Sequence, residues 1–145
     1  MKVLIFILFL FIGTELLAQV DNYTGAYETH SLAADGSFEL KRSITLNADG
    51  TFVFHNYRRV EIGIPPETNI WGKGKWTSVK NQIRFSAAEE LDIDEKYSLN
   101  FGETKARYKS KSPRDISKKV VKTSLIFYDS NISWVKGMEL FKTDD

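Results

Sequence analysis

The sequence predicts an all-β domain, an antiparallel up-and-down β-barrel of about eight or nine strands. Three observations predict it. Apolar and polar residues alternate at period two along most of the chain, the pattern of strands with one buried face. Turn signals such as Asp35-Gly36, Asp49-Gly50, Lys80-Asn81 and Gly102-Glu103 punctuate those runs. Few connections look long enough to cross a sheet, which favours sequential hairpins over a Greek-key sandwich.

Residues 1–18 read as a secretory signal peptide standing apart from the fold. Met1-Lys2 carries positive charge, Val3 to Ile12 is an unbroken apolar run, and Gly13 to Ala18 resembles a cleavage region. The run has ten residues, whereas a membrane-spanning helix needs roughly 20. An uncleaved anchor is the alternative. Cleavage after Ala18 would leave residues 19–145 as one domain, long enough to bury a core. The expected location is secreted or periplasmic.

The chain has no cysteine. That excludes a disulfide scaffold, a thiolate nucleophile, a cysteine-ligated zinc and lipidation of an N-terminal Cys. A net charge of +1 argues against nucleic acid as a partner.

The elements follow in order. Asp21 to His30 gives a first strand with Tyr23, Gly25, Tyr27 and Thr29 on one side, and Ala33 to Gly36 turns. Ser37 to Asn47 is the clearest strand. Phe38, Leu40, Ile44 and Leu46 share a face, and Arg42 interrupts it. Asp49-Gly50 makes the hairpin, because Gly tolerates the positive φ that such turns require. Thr51 to Val60 returns, with Phe52 and Phe54 on one face and Val53, His55 and Tyr57 on the other.

Residues 61–69 contain Pro65-Pro66 and read as a long loop whose Ile62 and Ile64 need a partner, a pocket or a fold-back. Ile70 to Val79 is a strand. Its Gly72 and Gly74 leave room for close backbone approach or a sharp bend. Gln82 to Ser86 follows the Lys80-Asn81 turn, with Ile83 and Phe85 on one face. Ala87 to Glu95 is a short helical turn or an acidic loop. Tyr97, Leu99 and Phe101 then alternate as a strand, and Lys105 to Ser110 runs back from a turn at 102–104. Beyond the 111–115 loop, Lys119 to Asp129 and Ile132 to Lys142 read as the last strands, with Gly137 a bulge.

The order of motifs carries a resemblance. Gly25-x-Tyr27 lies in the first strand, Leu46-x-x-Asp49-Gly50-Thr51-Phe52 at the hairpin, Gly74-x-Trp76 ahead of Ile83, and Trp134-x-x-Gly137-x-x-Leu140 near the end. Together they resemble the short lipocalin-like domains of secreted bacterial proteins, of the calycin type, over nearly all of residues 19–145. Lipocalins carry Gly-x-Trp in the first strand. Here it lies mid-chain, and no C-terminal helix is evident. The resemblance implies a barrel whose mouth takes a small apolar ligand, although short members often have filled interiors.

No catalytic, metal or cofactor motif emerges. Asp92, Asp94 and Glu103 fall at EF-hand positions, but Lys96 and Tyr97 stand where an acid and a Gly are needed. Gly72-Lys73-Gly74 lacks the spacing of a phosphate loop. His30 and His55 belong to no spacing motif, so a hydrolase or metal site is a weak third reading.

Charge is segregated. Lys105, Arg107, Lys109, Lys111, Arg114, Lys118, Lys119 and Lys122 form a basic arm, while residues 87–104 are acidic. Two adjacent arms with complementary solvent faces would explain this. So would a basic rim that meets an anionic surface.

Two principal readings result. One is a binding protein for a small apolar ligand or lipid, held near Phe52, Phe54, Trp71, Trp76, Phe101 and Phe127. The other is a filled, non-enzymatic envelope barrel that grips a protein or anionic surface. It would do so through the 61–69 loop or the 105–122 arm, led by Lys105, Arg107, Lys109, Lys111, Lys118 and Lys119.

Overall fold

The computed structural model describes residues 22–143, so the expected signal peptide lies outside the described residues. Eight strands are formed among them: β1 (Gly25–Leu32), β2 (Phe38–Leu46), β3 (Thr51–Val60), β4 (Glu67–Val79), β5 (Gln82–Ser86), β6 (Lys105–Lys109), β7 (Ser124–Asp129) and β8 (Glu139–Lys142). Each pairs antiparallel with its neighbour in sequence. β8 returns to β1 through Tyr27↔Lys142 and Glu28↔Phe141, which closes an up-and-down barrel. Closure satisfies strand edges that an open sheet would expose.

The β2–β3 hairpin sets the register. Gly50 adopts φ +84°, and the Thr51 amide and hydroxyl donate to Asp49 Oδ1 at 2.9 and 2.6 Å. The turn pairs Leu46 with Phe52 and Ile44 with Phe54, which sends the alternating apolar residues to one face.

That face packs a filled interior. Tyr27, Ile44, Leu46, Phe52, Phe54, Ile83, Phe101, Leu125, Phe127 and Leu140 are essentially inaccessible. Phe52, Phe54, Phe85 and Phe101 meet at ring separations of 4.9 to 6.1 Å, and Phe85 stacks on Phe127 at 5.6 Å. At the base, Trp76 Nε1 donates to the Asn47 carbonyl at 3.0 Å and Tyr27 Oη donates to the Tyr23 carbonyl at 2.6 Å. Tyr23 meets Tyr108 edge-on at 4.7 Å. Gly72 and Gly74 let neighbouring groups approach. A Cβ on Gly72 would lie 2.9 Å from the Phe101 ring, and one on Gly74 would collide with the Ser86 carbonyl oxygen.

Several elements differ from the sequence expectation. Tyr97 to Phe101 forms one parallel bridge, Gly72↔Leu99, rather than a strand, because the chain turns inward to drive Phe101 among the core rings. Lys119 to Thr123 lies outside the sheet, since β6 ends at Lys109 and offers no further partner. Ile132 to Met138 is a chain of turns, with Val135 N–H to Ile132 O and Met138 N–H to Val135 O both at 3.0 Å. β8 therefore starts only at Glu139. β4 begins at Glu67, because Val60 N–H bonds to Pro66 O at 2.8 Å and brings the strands together directly after the prolines.

The barrel wall is uneven. β1 to β4 have 8, 9, 10 and 13 residues, whereas β5 to β8 have 5, 5, 6 and 4. At roughly 3.3 Å per residue the long wall outruns the short one by several residues. Its excess stands at the end bearing the β1–β2 and β3–β4 connections.

Candidate functional site: an open mouth above a filled barrel

The excess wall carries the inward-facing parity of β2, β3 and β4 upward from the core. Above the row Ile44–Phe54–Gly72 come Arg42–Asn56–Ile70, then Leu40–Arg58–Thr68, then Phe38–Val60. The short strands do not reach opposite these rows. What remains is an open pocket of about 820 Å³ lined by Phe38, Leu40, Arg42, Asn56, Arg58, Pro65, Thr68, Ile70 and Trp134, with Glu67 and Asn69 at its edge.

The turns at 132–138 supply its floor. Trp134 lies 6.0 Å from the core ring of Phe54, and the Arg42 guanidinium sits 5.1 Å from the Trp134 centroid. Arg42 Nε donates to Oδ1 of buried Asn56 at 3.1 Å. Burial lowers the Arg42 pKa, but a guanidinium remains a cation in proteins. The β3–β4 connection forms part of the rim. Pro65 lines the pocket, while Ile62 and Ile64 next to it are 92% and 100% exposed.

The residues expected to hold a ligand fall in two places. Phe52, Phe54, Trp76, Phe101 and Phe127 are buried in the packed interior or its base. Trp71 is on the outer face, stacked on His55 at 3.7 Å with Tyr97 edge-on at 6.3 Å. Phe54 alone touches the mouth, through Trp134. The mouth residues Arg42, Asn56 and Arg58 escaped the sequence reading, although the signal was present. Arg42 breaks the apolar alternation of β2, and Asn56 and Arg58 are in phase with Phe52 and Phe54.

The histidines are on the outer face and apart. His30 bonds to Glu39 and His55 to Asn69, each at 2.8 Å. In the acidic segment, Asp92 accepts from the Ala88 amide at 2.7 Å, and Asp94 accepts from the Lys96 and Tyr97 amides at 2.8 Å. The latter two bonds, led by that from Tyr97, help lower the Asp94 pKa.

The basic arm divides between a strand and a loop. Lys105 pairs with Asp129 at 3.5 Å, and Arg107 lies over Tyr128 at 5.7 Å. Lys109 ends β6, and Lys111, Lys118 and Lys119 follow in a loop whose residues 110–120 are all exposed. The strand directions put this loop at the basal end and the acidic segment at the mouth end. Among the described residues no ion pair joins the two. No protein-family model matches the chain, and no curated protein is a significant match.

Proposed function

We propose that this protein is a non-enzymatic, lipocalin-like barrel, secreted or periplasmic, that binds a small, largely apolar ligand in its mouth. One observation carries the reading: Phe38, Leu40 and Ile70 form an inward-facing concave surface that the short strands leave uncovered, above a filled interior. A pocket of about 820 Å³ that combines apolar walls with polar side chains suits a molecule of modest size. The lipocalin-like motifs around Gly25, Asp49, Trp76 and Trp134 agree with a ligand at the open end.

The test is a fluorescence titration with phenylnaphthylamine, a neutral apolar probe. Saturable binding to the native chain, lost in Ile70→Trp with the circular dichroism spectrum retained, is the expected result. No binding, or equal binding to Ile70→Trp, would refute the mouth as the site.

A second reading rests on the basal loop. Ile116 is 98% exposed and Val120 91% exposed, among Lys111, Lys118 and Lys119. Cations beside uncovered aliphatic side chains suit an anionic lipid surface. Co-sedimentation with phosphatidylglycerol vesicles, reduced by Lys118→Glu with Lys119→Glu and absent with phosphatidylcholine, is expected. Equal sedimentation with both lipids would reject it.

A further inference from the structure

The treatment of charge differs between the two faces of the long wall. On the outer face Arg59 is compensated. Its Nε lies 3.5 Å from Glu39 Oε2 and its Nη2 donates to the Gly36 carbonyl at 3.0 Å. His30 shares the same carboxylate at 2.8 Å, and Lys41 faces Glu28 at 3.6 Å.

On the inner face, Arg42 and Arg58 sit in successive rows, and neither has a carboxylate within ion-pair distance among the described residues. Arg42 makes one hydrogen bond there, through Nε to Asn56, so its two terminal nitrogens have no acceptor among the described residues. None of its nitrogens is both buried and unpartnered, so those terminal nitrogens meet open space. The one carboxylate at the pocket edge, Glu67, belongs to the row of Arg59 and accepts from Tyr57.

An arginine anchored along an apolar wall with its terminal nitrogens open and without a counter-ion is free to take an anion from solution. Asn56 and Trp134 fix the guanidinium from one edge and one face, leaving the terminal pair presented as a fork. That fork matches a carboxylate, phosphate or sulfate group through two parallel N–H···O bonds.

We infer that the ligand of the mouth is an amphipathic anion, whose head group is held by Arg42 and Arg58 and whose apolar tail lies along Phe38, Leu40 and Ile70. This rests on the reading of the mouth as a ligand site. Arg42 fixes the head beside Trp134, and the exposed Arg58 one row higher closes over it from solvent.

The test is calorimetric titration of the native chain and two variants with decanoate, decanol and inorganic phosphate at neutral pH. Decanoate is expected to bind about tenfold or more tightly than decanol, the scale of a charge-assisted hydrogen bond. Arg42→Met is expected to bring decanoate down to the level of decanol. Arg58→Gln, at an exposed position, is expected to narrow the same gap. Equal affinity for decanoate and decanol in the native chain, both displacing phenylnaphthylamine, would overturn the anion and leave the mouth reading standing. A decanoate preference that survives both substitutions would overturn the arginine assignment. Phosphate binding as tightly as decanoate would overturn the tail. If none of the three binds and phenylnaphthylamine does not either, the mouth reading itself fails.

Discussion

The lower and upper halves of β2, β3 and β4 share one inner face and one alternation, yet they live in different surroundings. In the lower half, Ile44, Leu46, Phe52 and Phe54 are opposed by β5 to β8 and by Phe101, and packing is complete. In the upper half, Phe38, Leu40, Arg42, Asn56, Arg58 and Ile70 have the same orientation, and Trp134 and Pro65 join them around an open pocket. The difference lies in the partner wall, whose strands are too short to reach. A barrel can thus concentrate stability at one end and recognition at the other without any change in strand pattern.

The comparison predicts separable mutational effects. Phe54→Ala or Phe101→Ala removes a fully enclosed ring and is expected to cost about 3–5 kcal/mol, measured by urea unfolding. Phe38→Ala, on the same face three rows above the Ile44–Phe54 pair, is expected to cost about 1 kcal/mol or less and to weaken probe binding. If Phe38→Ala were as destabilising as Phe54→Ala, the two halves would be one core.

A smaller effect is expected at the close approach on β4. Gly74→Ala must displace the Ser86 carbonyl and is expected to cost about 1–3 kcal/mol. Thr68→Ala, in the upper half of the same strand, is expected to fall within about 0.5 kcal/mol of the native chain in the same assay.

The smallest effect is on pH dependence. Burial, reinforced by Tyr108 and Tyr23, raises the Tyr27 pKa far above its ordinary value. A group whose folded pKa is raised contributes stability that is fully present below its unfolded pKa, about 10 for tyrosine, and lost as pH rises beyond it. Stability is therefore expected to decline above about pH 10, with a shallower slope in Tyr27→Phe. Tyr108, also raised by burial, keeps part of the slope. Urea midpoints measured across that range check it, and an unchanged slope in the variant would remove Tyr27 from the account.

Much of this barrel was legible in the chain. Asp49-Gly50 and the alternation of Phe38 to Leu46 marked the central hairpin, because turn chemistry and period two are local properties. Where a strand stops is not local. Lys119 to Thr123 has the right pattern but no partner in β6, which ends at Lys109, and Tyr97 to Phe101 alternates like a strand yet ends as a plug. Phe52, Phe54, Trp76, Phe101 and Phe127 of the expected aromatic set are buried, whereas Trp71 lies on the outer face. Whether the buried rings lined a cavity or filled it depended on the lengths of β5 to β8. Arg42 was visible as an interruption of the apolar face, but its meaning needed Trp134, some ninety residues away in sequence and 5.1 Å away in space.

The most direct test of the division between base and mouth is amide chemical-shift mapping of the native chain during titration with decanoate. Shifts confined to residues 38–42, 56–58, 68–70 and Trp134, with Leu46, Phe52 and Trp76 unmoved, are predicted. Shifts centred on the base, or spread evenly around the barrel, would contradict the account.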